Sequence, residues 1–163
     1  MKHLIILVVE DESGVRDAVI RDLESFEPLF RIEPAESAAD ATAAMEEIMA
    51  AGDEVALIIA DHLLPGQHGT DFLIGVQAAP GGKKIKKMLL TGQAGHADTI
   101  RAINEAELDH YVSKPWASEE LVSIVREQLT DYVLDNVGDL LPYVAVLDGA
   151  RLLEAVARRA SDL

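Results

Sequence analysis

Glu10 and Asp11 close the apolar run Leu-Ile-Ile-Leu-Val-Val, and Asp61 closes the run Val-Ala-Leu-Ile-Ile-Ala. Thr91 closes Met-Leu-Leu, and Lys114 follows His-Tyr-Val-Ser. Three carboxylates brought together repel one another, and one or more takes up a proton unless a cation intervenes. Oxygen ligands without a cluster of His or Cys suit a hard divalent ion, and Mg2+ keeps several of its waters in such a site. An ammonium and a hydroxyl beside that ion are what a transferring phosphoryl group needs, because its charge spreads over three oxygens. A carboxylate such as Asp61 then serves as nucleophile and forms an acyl phosphate.

Residues so far apart in sequence meet only if the elements carrying them point the same way. The stretch from Val55 to Asp61 is uncharged until its last residue and is followed by Pro65 and Gly66, as expected of a strand buried on both faces of a parallel sheet. Leu4–Val9, Phe30–Pro34, Met88–Leu90 and His110–Val112 supply four more strands. Helical spacing recurs between them: Val15, Ala18, Val19, Leu23 and Phe26 after Ser13; Ala41, Ala44, Met45 and Ile48 after Ser37. Further helices are expected over Asp71–Gln77, over Ala97–Ala106, and from Ser118 to about Val133. Five strands alternating with five helices predict an α/β fold, a doubly wound parallel sheet with right-handed crossovers. The carboxyl edge of such a sheet is where ligands sit.

After Asn136 the pattern changes. Gly138 breaks it, and Pro142 is tolerated only in the first turn of a new helix. Leu147, Leu152, Leu153, Val156 and Ala157 then form an apolar stripe opposite Arg151, Arg158 and Arg159. Alone, a helix of this size is marginal in water, so it is expected to pack on the domain or on a second copy. The division expected is a domain over 1–133 and a helical extension over 134–163.

The 163 residues allow one ordinary domain with a little extra, and 4% aromatics point to an aliphatic core. A formal net charge of −15 argues against a nucleic-acid or anionic-membrane surface. The absence of cysteine excludes disulfides and thiolate chemistry and is compatible with the cytoplasm. The first apolar run is too short for a signal segment or a membrane span.

Glu10-Asp11, Asp61 with Pro65-Gly66, Thr91-Gly92, Tyr111 and Lys114-Pro115 together resemble the receiver domain of two-component response regulators, over roughly residues 2–133. The resemblance implies a flavodoxin-like sheet of order 2-1-3-4-5. It implies that Asp61 accepts a phosphoryl group from a phosphohistidine on a sensor histidine kinase or a histidine phosphotransfer protein. Asp11, Asp61 and the backbone carbonyl of Leu63 would hold Mg2+ (or Mn2+), with Glu10 acting through water. Thr91 and Lys114 would hold the phosphoryl oxygens, and the Lys114-Pro115 bond would be cis. Thr91 and Tyr111 would form a switch acting on the face of the fourth helix, fifth strand and fifth helix. Partners or a second copy would dock there; the C-terminal helix is the other candidate dimer contact. Leu63 and Gln93 occupy positions that in that family tune phosphoryl hydrolysis, and Leu63 cannot orient water, so the resemblance implies slow loss of phosphate.

Two other classes fit parts of the pattern. One is a receiver-like interaction module that works without phosphorylation. The other is a small phosphohydrolase, which would need a second general acid where Leu63 stands. Among the remaining residues, Lys83, Lys84, Lys86 and Lys87 read as a solvated turn, and Gly75–Lys83 has the wrong glycine spacing for a phosphate loop. Trp116 reads as a packing anchor for the fifth helix. His62, His68, His96 and His110 are too scattered to read as metal ligands. The segment from Val137 to Leu163 is too short for a DNA-binding or enzymatic effector domain.

Overall fold

The computed structural model describes residues 2–92 and 96–162. Five parallel strands form one sheet in the order β2-β1-β3-β4-β5. They are β1 (Leu4–Val9), β2 (Phe30–Ala35), β3 (Glu54–Asp61), β4 (Lys86–Thr91) and β5 (His110–Ser113). The helices between and after them are α1 (Ser13–Asp22), α2 (Ala38–Ala50), α3 (Gly69–Ala78), α4 (His96–Glu105), α5 (Ser118–Asn136) and α6 (Gly149–Ser161). This is the doubly wound, flavodoxin-like arrangement expected from the sequence, with a C-terminal helix added.

The period-2 alternation of the strands sorts their side chains into two cores. Leu4, Ile6 and Val8 face α1 and α5, while Ile5, Leu7 and Val9 face α2 and α3. In β3 the alternation is interrupted. Ile5 pairs with Val55 but Ile6 pairs with Leu57, so Ala56 is a bulged extra residue. Ala56 and Leu57 consequently both lie on the α1–α5 side, and the phase of β3 is reset before Asp61. Because both faces of the central strands are covered, β1 and β3 are buried almost throughout.

Several boundaries differ from the sequence expectation for local reasons. Ser13 is the first residue of α1 rather than its cap, which is Glu12. Leu23 and Phe26 are buried, but α1 ends at Asp22 and a 3₁₀ turn over Glu24–Phe26 carries Phe26. Ser37 caps α2 as expected, its hydroxyl accepting from the Asp40 N–H at 3.0 Å. Pro142 sits in a 3₁₀ turn over Leu141–Tyr143, and the long terminal helix starts only at Gly149, capped by Asp148. Lys87 is not part of a solvated turn. It is 1% exposed, and its ammonium donates to the carbonyls of Gly82 (2.9 Å) and Ile85 (2.7 Å). A strand position in the middle of the sheet buries the stem, and the turn before β4 folds over the head. Lys83 and Lys84 are exposed.

The extension packs against α5 and the start of β2. Leu140, Leu147, Leu152 and Ala155 join the α1–α5 core, and the Tyr143 ring lies 5.8 Å from that of Phe30. The buried Thr130 hydroxyl accepts from the Asp148 N–H at 3.1 Å, and Arg151 pairs with Asp131 at 2.7 Å. Arg159 donates to the carbonyls of Leu134, Val137 and Gly138, near or beyond the end of α5. These acceptors include the carbonyls that a helix terminus leaves without intrahelical donors. Among the described residues, no helix is long and apolar enough to cross a membrane.

Candidate functional site

Parallel strands point all their carboxyl ends to one edge, so the last residues of β1, β3, β4 and β5 converge there. The Glu10 N–H still donates to the Ala35 carbonyl at 3.0 Å, which extends the β1–β2 ladder one residue past the strand and fixes Glu10. Its carboxylate is fully buried and accepts from the Glu12 N–H at 3.3 Å. Arg16, one turn into α1, donates to the Glu10 carbonyl at 2.8 Å. Asp61 pairs in register with Leu90, and the next N–H, of His62, donates to the Leu90 carbonyl at 2.8 Å. Thr91 ends β4 buried, and its carbonyl accepts from the Lys114 N–H at 2.8 Å. The Lys114-Pro115 bond is cis, as the resemblance implied.

Glu10, Asp11 and Asp61 each offer one carboxylate oxygen, and the three oxygens lie within 4.8 Å of one another. The Lys114 ammonium is 2.7 Å from Asp61 Oδ1 and 3.3 Å from Glu10 Oε2. Burial pushes the Glu10 carboxyl up, and the neighbouring Asp61 adds to this, while Lys114 works against both. Burial alone would lower the Lys114 ammonium, but its bonds to Asp61 and Glu10 outweigh that and hold it above its ordinary value. Three oxygens, two of them buried, with no sulfur or ring nitrogen in the group, fit a hard cation such as Mg2+. Lys114 neutralises part of the same charge.

The remaining predicted residues divide. Leu63 projects into solvent, 61% exposed, while Leu64 beside it is buried in the α2–α3 core and anchors the loop. Tyr111 lies outside the edge, 49% exposed. Gln93 falls outside the described residues.

Several contacts around the site were missed in the sequence. Gly69, the first residue of α3, packs so closely on the end of β3 that a β-carbon there would lie 2.0 Å from the Asp61 carbonyl oxygen. Its only sequence signal is a glycine before a helix. Trp116 packs on the α1–α5 core as expected, but its indole N–H also donates to Asp22 at 2.8 Å, and the Ser118 hydroxyl donates to Asp22 at 3.0 Å. This ties the segment after Lys114 to α1. Arg101 of α4 pairs with Asp71 of α3 and with Glu105 on its own helix.

Comparison with known proteins agrees with this fold. The chain is 31% identical to the hydrogenase transcriptional regulatory protein HoxA of Cupriavidus necator, over 77% of its own length and 24% of that protein. It is 30% identical to the phosphate regulon transcriptional regulatory protein PhoB of Escherichia coli, over 74% of this chain and 49% of that protein. The chain therefore matches only a quarter to a half of the length of these relatives. A solved CheY-like response regulator receiver domain from Methanospirillum hungatei superposes with a TM-score of 0.70 at 26% identity, covering 83% of this chain and 100% of that one. The family model for the response regulator receiver domain matches residues 6–126, and the chain belongs to that family.

Proposed function

We propose that this protein is a phosphorylation-dependent signalling switch in which Asp61 takes a phosphoryl group from a phosphohistidine. The observation that carries this reading is the Lys114 ammonium at 2.7 Å from Asp61 Oδ1, beside a cluster of three carboxylates. An Asp61 oxygen attacks phosphorus as the phosphorus–nitrogen bond to histidine breaks, and the imidazole leaves with its electron pair and takes up a proton. The product is an acyl phosphate on Asp61. Mg2+ or Mn2+, held by Asp11, Asp61 and the Leu63 carbonyl with Glu10 through water, would offset charge on the transferring oxygens. Lys114 turns from its carboxylate partners to a phosphoryl oxygen, and the Thr91 hydroxyl donates to another.

The donor is a sensor histidine kinase or a histidine phosphotransfer protein. The response is a movement of Thr91 toward the phosphoryl group, with the exposed Tyr111 ring turning inward behind it. That remodels the surface of α4, β5 and α5, where a partner or a second copy docks. Incubation with acetyl phosphate and Mg2+ tests the reading. The intact chain gains one phosphoryl group by mass, lost in alkaline hydroxylamine, and Asp61→Asn gains none. Uptake that survives Asp61→Asn, or no uptake together with no response to beryllofluoride and Mg2+, overturns it.

A further inference from the structure

A cleft of about 580 Å³ opens between α2 and α3, running from Gln67 in the loop after β3 to the Gly82–Lys84 turn. The cleft's walls are apolar: Met45 and Met49 from α2, Phe72 and Val76 from α3, with Val55 and Ile85 from the strands and turn behind. Met49 is 66% exposed.

Glycines make the room. Gly75 faces the cleft from the middle of α3, and a β-carbon there would meet nothing within 4 Å. Glycine costs about 1 kcal/mol against alanine inside a helix, so this helix keeps an open wall at the expense of its own stability. Gly82 does the opposite job. A β-carbon on it would lie 1.6 Å from the Val76 carbonyl oxygen, so only glycine lets the Gly82–Lys84 turn close against α3 and form the rim.

Most of the charges lining this cleft are occupied. Lys2 and Lys84 both pair with Glu54 Oε1, at 2.8 and 3.1 Å, and Asp53 is held by His3 and Arg31. Glu46 is exposed. The interior therefore offers methionine thioethers and an aromatic ring, surfaces that suit a polarisable apolar body. The volume lies within the range of small-molecule sites. A cavity of about 150 Å³ holds one benzene ring, so this one exceeds what a single inserted side chain fills.

We infer that the α2–α3 cleft binds a small uncharged hydrophobic molecule of two or three fused or linked rings. Dye binding needs neither Mg2+ nor a phosphoryl donor, so its test is separate from that of the signalling role.

The test is a fluorescence titration of the full chain with the neutral dye N-phenyl-1-naphthylamine. Saturable binding of one dye per chain is expected. Gly75→Leu, which adds a favourable helix former and fills the cleft, weakens binding by about tenfold or more, while Gly75→Ala stays within about threefold. Amide shifts in the parent protein on adding dye provide a measurement that needs no variant, and they cluster on Met45, Phe72 and Val76. The inference is overturned by dye binding that does not saturate or by Gly75→Leu binding as well as the parent. Shifts centred elsewhere overturn it too, as does a cleft closed by a second copy, seen as dye binding that disappears as the chain self-associates at higher concentration.

Discussion

Gly69 packs on the Asp61 carbonyl so closely that a β-carbon there would lie 2.0 Å from its oxygen. The Gly69 N–H also donates to the His62 carbonyl at 2.9 Å. The loop bearing Leu63 is therefore closed at its base by one residue. Gly69→Ala must push backbone from backbone, which costs about 1–3 kcal/mol as overpacking does elsewhere. Chemical denaturation should show that loss, and phosphoryl uptake at Asp61 should fall with it because the end of β3 is displaced.

Lys114 and a bound cation compete for the same oxygens. Lys114→Met removes the ammonium from Asp61 and Glu10, so calorimetric titration should show Mg2+ binding several-fold more tightly than in the parent. Phosphoryl uptake should nonetheless fall by about 100-fold, the usual loss when one donor to a developing anion is deleted. Tighter metal binding with unchanged uptake would remove Lys114 from the chemistry.

Glu54, at the opposite end of the sheet, gives the clearest pH dependence. Bonds from Lys2, with further bonds from Tyr132 and Lys84, hold its carboxyl down at about 2 against burial, from an ordinary 4.5. A depressed carboxyl contributes stability above its unfolded value, and that stability drains away as pH falls from about 4.5 toward 2. Glu54→Gln should cost about 1–2 kcal/mol at neutral pH after allowance for solvent. The difference from the parent should vanish near pH 2 in thermal melts taken across that range.

The extension should not come off cleanly. Leu140, Leu147 and Leu152 are buried in the same core as α5, and Tyr132 is covered with them. Truncation after Val137 should lower the unfolding free energy by roughly 3 kcal/mol or more, net of the cost of ordering the segment. Arg159→Ala alone should cost about 1 kcal/mol through three lost bonds to carbonyls around the end of α5. A truncated chain as stable as the parent would make residues 138–163 an independent appendage.

Leu63 is exposed at the mouth of the site and has no group to orient water. Leu63→Asn should therefore shorten the life of the acyl phosphate several-fold, followed by loss of label from phosphorylated protein. An unchanged rate would assign the phosphoryl lifetime to other residues.

The sequence by itself determined the strands, their common direction and the identities of Glu10, Asp11, Asp61, Thr91 and Lys114. Those signals are local: apolar runs ending in a polar residue, and helical spacing between them. What only the folded chain decided depends on distances between segments remote in sequence. The bulge at Ala56, the burial of Lys87 beneath the turn before β4, the close approach of Gly69 to Asp61 and the Asp22–Trp116 bond are of this kind. So is the seat of the extension, since an amphipathic stripe says that a helix must be covered but not by what. A side chain's type and its neighbours in sequence set what it can do, while only packing sets which carbonyl or carboxylate lies within 3 Å of it.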